Sequence, residues 1–134
     1  MVVSILNLRL MAKVLRIPPN GTVLVVGVNS DASVRVLKGD GRPVVPAGHR
    51  AELLAALECV SYFVVFGDPT PEQCLLALKP DVHCQGTDSA PPYEAPMSEA
   101  ACVASYGGRV EFLPLAAGLS STDLIRRIRE LPQT

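Results

Sequence analysis

Apolar residues recur along this chain in two alternating rhythms. Residues 23–28, VLVVGV, form a continuous apolar run that breaks into Asn29, Ser30 and Asp31. A run apolar on both faces and ending in small polar residues predicts a buried strand of a parallel sheet, delivering a loop to the sheet's carboxyl edge. Residues 62–66, 81–85 and 109–113 predict further short strands. Helical patterns lie between them. Residues 50–60 place Leu53, Leu54 and Leu57 on one stripe, and residues 70–78 open with Thr70 as N-cap, Pro71 at the first helical position and Gln73 closing a capping box. Residues 98–106, followed by Gly107 at the helix end, and residues 120–131 complete the set. Strands alternating with helices imply βαβ units, and hence an α/β fold with a doubly wound parallel sheet.

The first 17 residues carry a helical period instead. Ile5, Leu8, Ala12 and Leu15 share one face, and Arg9, Lys13 and Arg16 share another, predicting an amphipathic helix. The charges interrupt any apolar run well short of the ~20 residues a membrane span needs, and they spoil the core of a secretory signal. A basic helix of this kind could lie on a membrane or serve as an organelle address. A surface helix packed on the sheet is the simpler reading. Pro18, Pro19, Asn20 and Gly21 then turn the chain into the 23–28 strand.

Composition narrows the function classes. A chain of 134 residues has a one-domain length, so residues 1–134 are taken as a single domain. A net charge of −1 leaves no basic excess for a nucleic-acid backbone, and the absence of Trp with only three Tyr and three Phe removes base-stacking platforms. Cys59, Cys74, Cys84 and Cys102 include no closely spaced pair of the zinc or redox type. They read as reduced core residues of a cytosolic protein, His83 reads as a strand residue, and no protein-held metal site is expected.

Candidate chemistry collects at three places. At the carboxyl end of the 23–28 strand stand Asn29 and Asp31, followed by a polar loop with Arg35, Lys38, Asp40 and Arg42, and by Arg50 at a helix start. In open α/β sheets that edge binds ligands, and four cations against one loop acid suggest a ligand with several negative charges, such as a phosphate compound. Gly118, Ser120, Ser121 and Thr122 precede the last helix, where free N–H groups and the dipole favour an anion; Ser and Thr are also the ordinary helix caps. Gln85, Gly86, Thr87 and Asp88 end the strand at 81–85, where glycine permits close approach of a ligand or simply makes a turn.

In order and spacing, the segments VVGVNSDASVRVLKGDGRPVVP, HRAELLAALECV, TPEQCLLALKPDV, GTD, YGGRVEFLPL and GLSSTDLIRRI resemble the cytidylyltransferase-like nucleotidyltransferases. The NSDASVR-x-LKG-x-x-RPV block is similar to the branch formed by the adenylyltransferase domains of bifunctional heptose kinase/adenylyltransferases, which make ADP-heptose for bacterial lipopolysaccharide. The resemblance implies a Rossmann-like nucleotidyltransferase fold. It implies transfer of AMP from ATP, with Mg²⁺, to a sugar 1-phosphate, D-glycero-D-manno-heptose 1-phosphate. It also implies a cytoplasmic setting and a kinase domain or homodimer as partner. Ser120, Ser121 and Thr122, with Gly118, fall on the family's phosphate-binding motif. Arg50 falls on its second-helix arginine, and Lys38 and Arg42 fall on its loop cations. Lys38 and Arg50 are thus the candidate catalytic residues, while Asn29, Asp31, Gly86 and Asp88 belong with the nucleotide pocket. In-line attack on a phosphorus needs positioning and charge neutralisation more than covalent help, which these residue types suit.

Two departures from the family stand out. Its G-x-F-D-x-x-H-x-G-H segment, whose histidines contact the ATP phosphates, has no counterpart in this sequence, and its K-G-G-D-Y is replaced by Gln85, Gly86, Thr87, Asp88 and Ser89. The fold is therefore expected to be missing its first central strand. The strands at 22–28 and 81–85 would pair directly, leave a gap or take a strand from another chain, with instability and inactivity as the result. Three readings stay open: an adenylyltransferase whose start lies upstream of these residues, a non-catalytic nucleotide-binding or interaction remnant, and a sister cytidylyltransferase, against which the RPVVP block argues.

Overall fold

The strand-forming segments line up in a single sheet in the computed structural model, which describes residues 2–5, 21–87, 97–114 and 120–132. The order is β1 (Val2–Ile5), β2 (Val23–Asn29), α1 (Asp31–Lys38), α2 (Ala47–Ala55), β3 (Tyr62–Phe66), α3 (Glu72–Leu78), β4 (Val82–Thr87), α4 (Met97–Ser105), β5 (Arg109–Pro114) and α5 (Ser121–Arg129). All neighbouring strands are parallel, in the spatial order β3-β2-β1-β4-β5. The order reverses at β1, as in a doubly wound α/β fold, so the topological switch lies between β1 and β4.

That centre overturns two expectations. Val2 to Ile5 pair with Val23 to Val26 on one side, and Val3 to Ile5 pair with Val82 to Cys84 on the other. The sheet has its central strand, and β2 and β4 neither pair directly nor face a gap. Residues 2–5 are strand and do not open an amphipathic helix; the remainder of that helical pattern lies outside the described residues. The reason is a competition of magnitudes. Intrinsic helix preferences differ by less than about 1 kcal/mol per residue, whereas a buried unpaired backbone group costs about 1–3 kcal/mol. Three β-branched residues beside two open strand edges settle into the ladder. The expected instability rested on the gap and loses its premise.

The segment after β2 also differs from its reading as a polar loop. Ser30 caps α1, its Oγ accepting the Ser33 N–H at 3.1 Å, and the helix buries Ser33 and Val34 while leaving Arg35 and Lys38 in solvent. The loop proper is only residues 39–46. Helix α3 begins at Glu72 with Pro71 in the cap position and no side-chain cap bond, so the expected Thr70–Gln73 box does not form.

Packing follows strand alternation. Leu24, Val26 and Val28 of β2 join Val82 and Cys84 of β4 and Leu54 of α2 on one face. Leu75, Cys102 and Val103 form a second cluster with Tyr106 and Val110 on the other. Of the leucine stripe expected in the second helix only Leu54 is buried; Leu53 is 66% exposed, and Leu57 lies past the end of α2. Full burial of Leu54 contributes roughly 1.5–3 kcal/mol. Helix α4 closes as its sequence predicts. The Gly107 N–H bonds the Ala104 carbonyl and the Gly108 N–H bonds the Val103 carbonyl, with Gly107 at φ +83°, which is the Schellman arrangement. Among the described residues no helix is long and apolar enough to cross a membrane.

Candidate functional site

The carboxyl end of β2 is tied together by one carboxylate and one guanidinium. Helix α2 starts at Ala47 with no side-chain cap of its own. Asp31, in the first turn of α1, supplies the missing acceptor: its Oδ1 takes the Ala47 N–H at 2.8 Å, satisfying an otherwise orphaned helix-end donor. The same oxygen accepts from Arg50 Nη2 at 3.0 Å. Arg50 Nη2 also donates to the Asn29 carbonyl at 2.8 Å, and Nε donates to the Val45 carbonyl at 3.0 Å. Arg50 is thereby only 16% exposed. It cross-links the end of β2, the 39–46 loop and two helices. Its Nη1 group has no hydrogen bond among the described residues. Asn29 turns its side chain inward, donating from Nδ2 to Ser33 Oγ at 3.1 Å; that hydroxyl in turn donates to the Asp68 carbonyl at 3.2 Å.

A second grouping joins residues distant in sequence. Arg42 Nη2 donates to Thr122 Oγ1 at 3.2 Å across 80 positions of chain. The two side chains line a cleft of about 420 Å³ between the tip of the 39–46 loop and α5. Ser120 caps α5: its Oγ accepts the Asp123 N–H at 3.0 Å and donates to Asp123 Oδ2 at 2.7 Å. Ser120 thus acts as the ordinary helix cap that its residue type allows, and Asp123 grips its hydroxyl rather than the cap's backbone N–H. Ser121 and Thr122 remain exposed, as does Lys38, which does not line the cleft. Gly118 and Asp88 lie outside the described residues.

At the carboxyl end of β4 the position of the family lysine is taken by Gln85, and its amide Nε2 donates to Glu99 Oε2 from the first turn of α4. His83 Nε2 lies 3.4 Å from the same oxygen. His83 is fully buried and the Glu99 side chain is 12% exposed. Gly86 follows, half-buried, and lines no part of the Arg42–Thr122 cleft. The candidates thus fall into an Asn29–Asp31–Arg50 cluster, an Arg42–Thr122 cleft and the Gln85–Gly86 strand end. Sequence reasoning missed Glu99 because nothing local marks a carboxylate that reaches across to a neighbouring strand. It also missed Arg126 and Arg129, which line the cleft, although their spacing from Thr122 on one helix face was there to be read.

Three of the four thiols are shifted away from the reactive thiolate. All four cysteines are free. Burial pushes the Cys84 thiol up to about 11, with Glu111 adding to the rise and Arg109 opposing it; burial likewise raises Cys74 and Cys102.

Known proteins resemble the chain over most of its length. The Bifunctional protein HldE of Pelobacter propionicus is 46% identical over 110 residues, covering 82% of this chain and 22% of that protein. The HldE protein of Streptomyces coelicolor is 47% identical over 110 residues, covering 82% of this chain and 23% of its own length. The chain thus spans under a quarter of these relatives. Among solved structures, a lipopolysaccharide core biosynthesis protein from Thermoplasma volcanium superposes with a TM-score of 0.60 at 19% identity, over 86% of this chain and 94% of that one, a likeness of fold. The profile of the cytidylyltransferase-like family matches residues 4–127, and with these relatives it establishes that the chain belongs to the cytidylyltransferase-like family of nucleotidyltransferases.

Proposed function

We propose that this domain transfers AMP from ATP to a sugar 1-phosphate, D-glycero-D-manno-heptose 1-phosphate, in ADP-heptose synthesis for the lipopolysaccharide core. The observation that carries the reading is the Arg42–Thr122 bond: a loop cation and a helix N-terminus, each read from sequence as a phosphate ligand, meet in one cleft. In the reaction an oxygen of the sugar phosphate attacks the α-phosphorus of ATP. The bond to the β-phosphate oxygen breaks, and ADP-sugar and pyrophosphate result. The cleft would hold the polyphosphate, with Thr122 and the free N–H groups of α5 as donors. The unengaged Nη1 of Arg50, the Lys38 ammonium and the carboxyl edge of β4 at Gly86 would serve the remaining phosphate and the nucleoside. Among the described residues no three His, Cys, Asp or Glu side chains converge on a metal position. Mg²⁺ is commonly held by one or two carboxylates together with substrate phosphates, so the ion of the reaction would enter with the triphosphate. We place this ATP-dependent reaction in the cytoplasm, as the sequence resemblance implies. The relatives are named bifunctional and this chain spans under a quarter of their length, which supports the kinase-domain partner that the sequence resemblance implies.

A second reading, a nucleotide-binding remnant without turnover, is favoured by one specific feature. Where the family presents a lysine to the nucleotide, this chain presents Gln85 held by the largely buried carboxylate of Glu99. Purified protein given ATP, Mg²⁺ and heptose 1-phosphate separates the two. Release of pyrophosphate with formation of ADP-heptose supports the transferase, ATP binding without pyrophosphate release supports the remnant, and absence of ATP binding refutes both.

A further inference from the structure

The wall that α5 presents to the cleft is one helical stripe. Thr122, Ile125, Arg126, Arg129 and Glu130 line it, the i, i+3, i+4, i+7, i+8 series of a single face. Asp40 and Arg42 stand across from them. The end of a helix serves one anionic group, since its free N–H groups and its dipole act only within the first turn. This stripe runs on for two more turns; from Thr122 to Glu130 it extends roughly 12 Å at the α-helical rise. Three guanidiniums oppose two carboxylates along that length. Arg42 is bonded to Thr122. Arg126 lies 3.2 Å from Glu130 and 3.8 Å from Asp123. Arg129 has neither hydrogen bond nor ion pair among the described residues and stays exposed. A free guanidinium two turns beyond a helix N-terminus on the same wall suits an extended polyanion; a single phosphate would occupy only the terminus.

We propose that Arg126 and Arg129 form the distal half of a polyphosphate groove whose proximal half is Thr122 and Arg42, an inference that rests on the reading of the ligand as a nucleoside triphosphate. Arg129 is the donor available at first contact. Arg126, paired with Glu130 at 3.2 Å, exchanges that carboxylate for the ligand.

The test is calorimetric titration of the full chain, at fixed low salt, with inorganic tripolyphosphate and with orthophosphate. Arg129→Gln and Arg126→Gln are compared with Arg127→Gln, which removes the same charge from the same helix at a position that does not line the cleft. The substituted side chains are exposed, and thermal melting checks that each variant is folded. Arg129→Gln and Arg126→Gln are expected to weaken tripolyphosphate binding roughly five- to tenfold, the lower range for a charged hydrogen bond at an exposed site. Orthophosphate binding and the Arg127→Gln variant should each change less than about twofold, because neither draws on a distal contact. Equal weakening by Arg127→Gln, or tripolyphosphate binding indifferent to Arg129→Gln, overturns the proposal. Inorganic tripolyphosphate carries no adenylyl group, so the result is independent of turnover. Arg129-dependent binding in a protein that makes no ADP-sugar refutes the transferase reading and leaves the groove, whereas turnover without Arg129 dependence refutes the groove alone.

Discussion

Arg50 is the residue whose replacement separates a ligand contact from a scaffold contact most sharply. Read from sequence it is a phosphate clamp, and its removal would then weaken binding and spare the fold. In the structure it donates to Asp31 Oδ1, to the Asn29 carbonyl and to the Val45 carbonyl at 2.8–3.0 Å. Arg50→Ala removes all three bonds and leaves Asp31 with the Ala47 N–H but without its counter-charge. A bond involving a charged group contributes about 1.5–3 kcal/mol at best. The Asp31 side chain is one-third exposed, which screens the ionic part. A summed loss of about 2–4 kcal/mol is expected, a large share of the ~5–15 kcal/mol that holds a domain together. At about 4 °C per kcal/mol for a chain of this size, the melting temperature should fall by roughly 8–15 °C.

Urea and thermal unfolding of the wild type, Arg50→Ala, Arg50→Lys, Asp31→Asn and the Arg50→Ala/Asp31→Asn pair measure this. The lysine variant should recover less than half of the loss, because one ammonium cannot reproduce a planar fork reaching three acceptors. The double variant should be more stable than the sum of the singles predicts, by roughly 1–2 kcal/mol of coupling. ATP binding should fall as well, through the unengaged Nη1. An Arg50→Ala protein that unfolds at the wild-type midpoint while binding ATP tenfold more weakly would refute the scaffold argument.

Glycine positions give a paired test. A Cβ at Gly108 would sit 2.8 Å from the Pro80 carbonyl and 2.7 Å from Tyr106 Cε2, and the backbone leading into β4 cannot yield, so Gly108→Ala should cost about 1–3 kcal/mol in urea unfolding. At Gly48 in α2 nothing lies within 4 Å, and Gly48→Ala should instead stabilise by about 0.5–1 kcal/mol; a neutral Gly108→Ala would mean the helix end shifts freely. Cys84 tests burial chemically. With its thiol raised to about 11, the folded state keeps a proton that the unfolded chain releases from about pH 9 upward, so stability should decline as pH rises from 9 through 11. Cys84→Ala should flatten that decline in urea midpoints taken at pH 9 and 10.5, and iodoacetamide at pH 8.5 should leave Cys84 unlabelled until urea is added; prompt native labelling would contradict the burial.

Much of the fold was legible because its signals are local. The apolar run of β2 and β3 at residues 62–66 follow from composition over a few residues. So does the glycine pair that ends α4, and the α/β class follows from their alternation. Ser120 could be read as a cap because its partner, Asp123, is three positions away. Helix α1 was hidden for the opposite reason. Ser33, Val34 and Val36 are weak helix formers, and burial of Ser33 and Val34 helps hold the eight residues helical.

What tertiary structure decided is whatever depends on neighbours far away in sequence. Residues 2–5 carry both a helical period and β-branched side chains, and local preference does not choose between them; the two open edges of β2 and β4 do. Arg50 could be named as a functional cation from its position after the strand. Whether its fork faces a phosphate or the protein depends on where Asp31, Asn29 and Val45 come to rest. Arg42 and Thr122 could each be read as an anion ligand, but their meeting in one cleft requires the chain to bring positions 80 residues apart into contact. The sequence by itself determined which residues carry charge and which segments extend or coil, because those are properties of a few neighbouring residues. Partners, burial and the shape of the cleft were set only by the closed sheet, because hydrogen bonding and desolvation are decided by what packs alongside.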